Sequence, residues 1–118
     1  MRKRELISNL FQKYSQIRYI AIYTKDELIS EQRENILNSS ALESDKYEEL
    51  LVNPTLLSLA RQRGNIDCGG LIYLLVCYGN FYQFLKEIPN GHISICISQV
   101  EEVMGIVKEI NQELEEIK

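Results

Sequence analysis

The chain has 118 residues, of which 45% are hydrophobic and 25% are charged, and its formal net charge at pH 7 is −4. This balance is ordinary for one globular domain and excludes a disordered chain. The negative net charge disfavours phosphate backbones and anionic lipid, so we expect neither nucleic acid nor a membrane as a partner. The longest apolar run, residues 71–78, is far shorter than the ~20 residues that span a bilayer.

Cysteine usage indicates the compartment. The sequence contains three cysteines, Cys68, Cys77 and Cys96, without C-x-x-C spacing. An odd number without that spacing argues against a disulfide framework and favours a reducing environment. The basic residues 2–4 are followed by polar positions rather than by the apolar run of a secretory signal. We therefore expect a cytoplasmic protein.

The first third of the chain predicts a helix and then a hairpin. Apolar residues recur at helical spacing between residues 2 and 15, which predicts the first helix. Residues 17–24 are β-branched and aromatic and predict a strand, and residues 27–33 are predicted to return beside it. This second strand is rich in glutamate, and such charge suits a sheet edge.

The next stretch carries mixed signals before a second helix. Residues 40–45 contain two candidate helix starts, and a short apolar face could follow from Tyr47, Leu50 and Leu51. Asn53 and Pro54 are predicted as N-cap and first position of a helix over residues 54–63, which Gly64 would end. The predicted buried side of that helix consists of Leu56, Leu57, Leu59 and Ala60.

Residues 66–98 predict three antiparallel strands, over 71–78, 81–88 and 92–98. Gly79-Asn80 predicts a type II′ turn between the first two, and Asn90-Gly91 predicts a type I′ turn between the last two. Ser98 and Glu101 then form a capping-box pattern ahead of the clearest helix. We expect that helix to lie on the sheet rather than form a coiled coil; its apolar positions are Val100, Val103, Val107, Ile110, Leu114 and Ile117. The element order is α-β-β-α-β-β-β-α, an α/β protein of the α+β kind.

A catalytic constellation is not predicted. His92 is the only histidine and shares a predicted strand face with Ser94 and Cys96. Side chains two apart on a strand are ~7 Å apart, too far for a nucleophile–base hydrogen bond, so small polar residues beneath a packed helix explain this face better. The sequence also lacks metal-ligand spacing, and Gly69-Gly70 lacks the Lys-Ser/Thr of a phosphate loop. We therefore expect no enzyme activity, catalytic residue, metal or cofactor.

Both faces of the predicted strand over residues 71–78 are expected to be buried, because its residues do not alternate between apolar and polar. It would lie at the free end of the three-stranded meander, where an uncharged edge invites another chain to pair. A twofold dimer is the economical solution, with this strand pairing to its copy and the helix over 54–63 adding a second layer.

Three segments resemble the roadblock/dynein light-chain family. They are IRYIAIYTKDELISEQRE, GGLIYLLVCYGNFYQFLKEIPNGHISICIS and the helix EEVMGIVKEINQELEEI, and the element order is also similar. The resemblance implies one roadblock/profilin-like domain over residues 1–118, a five-stranded antiparallel sheet with helices on both faces. It further implies a non-enzymatic homodimeric adaptor that binds a small Ras-like GTPase or scaffolds a complex.

On this resemblance, the dimer seam is expected at Leu56, Leu59, Leu71, Tyr73, Leu75 and Cys77. Arg61 and Arg63 are candidate rim contacts to a partner. The alternative from another class is a small PAS- or GAF-like sensor domain, whose apolar ligand pocket would be lined by Tyr19, Tyr73 or Phe84. A purely structural subunit of a larger assembly differs from the adaptor only in its partner.

Overall fold

A computed structural model describes residues 2–25, 27–33 and 46–116 of the chain. Its elements are α1 (Lys3–Lys13), β1 (Ile17–Thr24), β2 (Glu27–Gln32), a π-helical turn (Glu48–Val52), α2 (Asn53–Asp67), β3 (Leu74–Cys77), β4 (Phe81–Ile88), β5 (Gly91–Ser98) and α3 (Val103–Glu115). The strands form one five-stranded antiparallel sheet in the order β2-β1-β5-β4-β3. The predicted α+β class and element order are confirmed.

The main core lies between one face of the sheet and the helices α1 and α3. Alternate residues of a strand share a face, so the isoleucines of β1 and β5 meet in cross-strand pairs such as Ile20–Ile95 and Ile22–Ile93. Burial of each such side chain stabilises the fold by about 1.5–3 kcal/mol. The α3 residues of this core are Val103, Val107, Ile110 and Leu114, and those of α1 are Ile7 and Leu10. The prediction that the last helix lies on the sheet is confirmed.

The opposite face of the sheet is more polar and lies beneath the helical segment that contains α2. Tyr19, Ala21, Ser94 and Cys96 are neighbours there on β1 and β5. Ser94 is completely buried, and its hydroxyl accepts a 2.8 Å hydrogen bond from Gln83 Nε2 of β4. The prediction of small polar residues beneath a packed helix is therefore confirmed.

The turn between β4 and β5 differs from the predicted one. Ile88 pairs with Gly91, so the two-residue loop is Pro89-Asn90 and β5 begins at Gly91. Asn90 has a φ of 70°, whereas the proline ring holds φ near about −65°. This combination fits a type II turn and excludes type I′, which needs positive φ at both central residues.

Two other local predictions are wrong. Gly79-Asn80 does connect β3 with β4, but Gly79 has no positive φ, so the turn is not type II′. Ser98 does not cap a helix, because it is the last residue of β5 and its N–H donates to the carbonyl of Gln16 at 2.9 Å. Helix α3 begins only at Val103.

Helix α2 is longer than the predicted helix over residues 54–63. It continues the π-helical turn, so Asn53 has helical φ and ψ and its side chain is buried instead of capping. Gly64 lies inside the helix rather than at its end. A Cβ added at Gly64 would come within 3.2 Å of the backbone of residues 70 and 71. Gly69, at a φ of 80°, has the left-handed conformation that commonly follows a helix end. The helix starts predicted within residues 40–45 lie outside the described residues.

A hydrogen-bonded contact ties α1 to α3. Lys13 Nζ donates to Glu113 at 2.7 Å, and the Tyr14 hydroxyl donates to the other oxygen of the same carboxylate. Burial by itself would raise the pKa of Glu113, but these two hydrogen bonds outweigh it and hold that pKa below its ordinary value of 4.5. Burial, and then the bond to Glu113, raise the pKa of Tyr14.

We expect Glu113→Gln to lower the free energy of unfolding at pH 7 by about 1 kcal/mol, since bonds to a neutral amide are weaker. Because the folded state depresses the pKa of Glu113, the contribution is complete above its ordinary value of 4.5 and is lost as pH falls through the folded pKa. Urea unfolding should therefore show a difference in stability between wild type and variant at pH 7 that shrinks as the pH falls below 4.5. Glu101→Gln, an exposed acid just before α3, is the control, and a difference in stability that persists in acid would contradict the assignment.

The two edges of the sheet differ in charge. The β2 edge carries Glu27, Glu31 and Gln32, all exposed, which confirms the predicted charged edge strand. The β3 edge is shorter than predicted and has the sequence LLVC, without a charged residue. Charge protects the first edge against pairing with another chain, and nothing comparable protects the second. In the described parts of the chain, no helix combines the length and apolar character needed to cross a membrane.

Candidate partner-binding surface

The helical segment over residues 46–67 turns apolar side chains towards solvent. Tyr47, Leu51, Leu59 and Ile66 recur at spacings of about one or two helical turns and form what we call the outer stripe. They are 61%, 53%, 61% and 76% exposed, respectively. Leu50 and Ile72, also at least half exposed, lie beside the stripe in the sequence. Exposed apolar residues grouped in this way are typical of an interaction surface.

The opposite side of the same segment buries polar groups. Glu49 and Asn53, one turn apart, are completely buried, with Leu57 following at the next turn. An amphipathic helix on a sheet normally has the reverse arrangement. The predicted buried side is correct for Leu57, whereas Leu56 and Ala60 are half-buried and Leu59 is exposed. The inverted pattern leaves the outer stripe uncovered in the part of the chain that the structure describes.

Four residues form the group that we call the buried polar cluster: Tyr19, Glu49, Asn53 and His92. Glu49 Oε1 lies 2.9 Å from His92 Nε2 and accepts a 3.0 Å hydrogen bond from Asn53 Nδ2. The Tyr19 hydroxyl donates to Glu49 Oε2 at 3.4 Å. A carboxylate without water is tolerable only when donors surround it in this way.

The side chains of His92 and Ser94 are both engaged within the chain. The His92 ring contacts Glu49 and, in a tilted arrangement, the ring of Tyr23 at 5.8 Å between centroids. The Ser94 hydroxyl is engaged with Gln83 instead of the imidazole. Among the described residues, no group of three histidine, cysteine, aspartate or glutamate side chains is placed to hold a metal ion.

The residues predicted for the dimer seam differ in burial. Tyr73 and Leu75 pack against the main core, and the Tyr73 ring lies 5.3 Å from that of Phe84. Leu56 and Leu71 are half-buried, and Leu59 and Cys77 are exposed. The register pairs Leu74 with Leu85 and Val76 with Gln83, which places these two β3 residues on the same face as α2. The seam predicted from the sequence contains odd-numbered residues of this strand and does not include Leu74 and Val76.

The predicted rim arginines are engaged within the chain. Arg61 forms an ion pair with Glu87 of β4, and Arg63 forms one with Asp67, one turn further along α2. Both arginines remain exposed. Exposed pairs of this kind contribute little to stability and can exchange partners at low cost.

Two cavities lie at the end of the sheet where the β4–β5 turn is found. The larger, about 750 Å³, opens between the start of α1, the end of α3 and the β1–β2 turn. The smaller, about 390 Å³, lies between α2 and the β4–β5 turn and reaches His92. Tyr19, Tyr73 and Phe84, the residues expected in a sensor pocket, line neither cavity.

Comparison with known proteins gives no relative. No family model matches the sequence, and no curated protein and no solved structure matches it. The fold and the surface therefore define a class only: an α+β sheet protein that leaves one uncharged sheet edge and one apolar helix face uncovered in its described residues.

Proposed function

We propose that this protein is a non-enzymatic, cytoplasmic adaptor that forms a homodimer through β3 and the outer stripe. The observation that carries the proposal is the inverted helical segment, which buries Glu49 and exposes Leu59. Exposing large apolar side chains costs free energy in an isolated chain, so a partner that covers them stabilises the protein. The resemblance to the roadblock/dynein light-chain family supports the same class.

A second copy of the chain is the occupant that fits best. An uncharged antiparallel strand can pair with its own copy across a twofold axis, which extends two five-stranded sheets into one continuous sheet. The β2 edge is unsuited to the same pairing, because its exposed glutamates would face glutamates of the copy. In such a dimer, Leu74 and Val76 would meet their counterparts on the face that also carries α2.

The proposed adaptor role goes beyond dimerisation, and it rests on the resemblance to the roadblock/dynein light-chain family. Roadblock-like dimers are expected to present a symmetric platform to a small Ras-like GTPase or to a larger complex. Arg61 and Arg63 lie exposed on α2, where they can leave Glu87 and Asp67 for acidic groups of a partner. Purified GTPases in their GDP- and GTP-bound forms would distinguish a GTPase partner from a purely structural one.

We expect wild-type protein to have the mass of a dimer and Leu59→Lys to have that of a monomer in light scattering coupled to size exclusion. Leu59 is 61% exposed, so the lysine should leave the fold of the monomer intact. In the seam it would place an unpaired charge among apolar groups, which should raise the dimer Kd by roughly 100-fold.

Met104→Lys is the matched control. Met104 is an exposed apolar residue of α3, on the other side of the sheet from α2. The control variant should remain dimeric. A monomeric wild type at tens of micromolar, or a Leu59→Lys dimer as tight as wild type, would rule out the proposed seam.

A ligand-sensing domain is the second candidate, and the larger cavity is the observation that favours it. Its volume of about 750 Å³ falls within the range of small-molecule sites, roughly 300–1,000 Å³. The cavity is separate from β3 and from the outer stripe, so the two candidates do not compete for the same residues.

A further inference from the structure

The larger cavity has an apolar floor. Its floor side chains come from α1, β1, β4, β5 and α3 and are Leu6, Ile22, Ile88, Ile93 and Leu114. Ile22 and Ile93 belong to the main core, so the floor is part of a rigid sheet rather than of a loop. A concave apolar surface of this kind contributes to the affinity for a ligand. Polar groups at the rim are needed to fix the orientation of that ligand.

Three of the six charged side chains that the structure describes in the cavity lining form ion pairs within the chain. Lys3 Nζ lies 2.9 Å from Glu27, and Glu87 is paired with Arg61. Glu115 accepts a 2.9 Å hydrogen bond from the side-chain amide of Asn111. These contacts leave two ammonium groups of the cavity lining, Lys25 and Lys86, for which the described residues provide no ion pair.

Lys86 is the better placed of the two. Its Nζ donates to the carbonyl of Ile72 at 3.0 Å and to Asn111 Oδ1 at 2.8 Å, both neutral acceptors. An ammonium has three donors, so one remains for a further acceptor. Two hydrogen bonds also fix the position of the charge, which lowers the entropy lost when a ligand binds to it.

We propose that this cavity binds a small amphiphilic anion, with a carboxylate or similar group on Lys86 and an apolar body on the isoleucine and leucine floor. A cation is disfavoured because two of the three rim glutamates are already paired with Lys3 or Arg61. The remaining acid, Glu115, is outnumbered by Lys25 and Lys86 in the same lining. This site does not depend on dimerisation, because none of its lining residues belongs to β3 or α2.

The test uses 4-phenylbutyrate as the probe and 4-phenylbutyramide as its uncharged counterpart, in NMR titrations of ¹⁵N-labelled full-length protein. We expect saturable shifts at the backbone amides of Thr24, Ile93 and Leu114, with the carboxylate bound about tenfold more tightly than the amide. Equal affinities, shifts that do not saturate, or shifts confined to the outer stripe would overturn the proposal. This comparison needs no variant, so it holds whatever a substitution does to the fold.

Two variants of the cavity lining and one control variant test the assignment. Lys86→Met keeps the apolar stem and removes the charge, so the preference for carboxylate over amide should disappear. Lys108→Met, an exposed lysine of α3 outside the cavity lining, should keep the full preference. Ile88→Trp should fill the cavity and weaken both probes about tenfold. A Lys86→Met protein that keeps the preference would rule out Lys86 as the anion-binding group.

Discussion

Replacing His92 by leucine should lower the free energy of unfolding by about 3–5 kcal/mol, a large part of the stability of a domain of this size. The imidazole is 3% exposed and lies against Glu49, which is completely buried. Its removal leaves the carboxylate, among the described residues, with Asn53 and the more distant Tyr19 hydroxyl as donors. A buried charge that loses its main partner is among the few single changes with an effect this large.

Substitution of the other partner, Glu49, distinguishes the effect of an unpaired carboxylate from the effect of lost packing. Glu49→Leu should cost less, about 1–3 kcal/mol, because it leaves an unpaired imidazole nitrogen in the interior rather than an unpaired carboxylate. The double variant Glu49→Leu/His92→Leu should recover most of the loss, since an apolar pair of similar volume is often as stable as a buried ion pair. Urea unfolding of the three variants at pH 7 measures these differences. Additive losses in the double variant would show that the two side chains do not act as a pair.

The cluster also has a consequence for the surface. A helix with leucines on both sides can pack on a sheet in more than one rotation about its axis. Bonds from Glu49 to His92 of β5 select the rotation in which Leu59 faces outward. If the wild type forms the proposed dimer and the double variant is stable but monomeric, the helix has turned its apolar side inward. Buried polar groups would then be retained for specificity rather than stability.

Local patterns predicted most of the sheet and two of the three helices well. The strands over residues 17–24 and 81–88 have the predicted bounds, because β-branched and aromatic residues there also meet suitable cross-strand neighbours. The turn at Asn90 was misplaced by one residue, since the Asn-Gly signal competes with Pro89, whose ring excludes the positive φ of a type I′ turn.

The candidate surface was harder to predict for a physical reason. Burial of Glu49 depends on His92, 43 positions later in the chain, and helical spacing carries no information on such a partner. Helical spacing therefore predicts Leu59 on the buried side of its helix, whereas the family resemblance predicts the same residue at a dimer seam. The sequence offers two signals of the pair, a lone histidine on a strand and the glutamates Glu48 and Glu49 next to apolar residues.

Gly91→Ala should be at least as damaging as His92→Leu, with an expected loss of about 3–5 kcal/mol or failure to fold. Gly91 is the first residue of β5 and pairs with Thr24 of β1 on one side and Ile88 of β4 on the other. A Cβ at this position would overlap the carbonyl oxygen of Tyr23 and approach its carbonyl carbon to 2.7 Å. Both contacts are backbone atoms inside a ladder, so neither can move aside without separating the strands.

The destabilisation caused by Gly91→Ala should extend beyond the β4–β5 turn. The β1–β5 pairing is the one strand pairing that joins the β1–β2 hairpin to the β5-β4-β3 meander in this sheet. Gly105→Ala is the control, because a Cβ on this exposed glycine of α3 meets nothing within 4 Å and should add about 0.5–1 kcal/mol by favouring the helix. Circular dichroism with urea unfolding measures both variants. A Gly91→Ala protein as stable as wild type would mean that β1 and β5 do not approach each other as closely as this register requires.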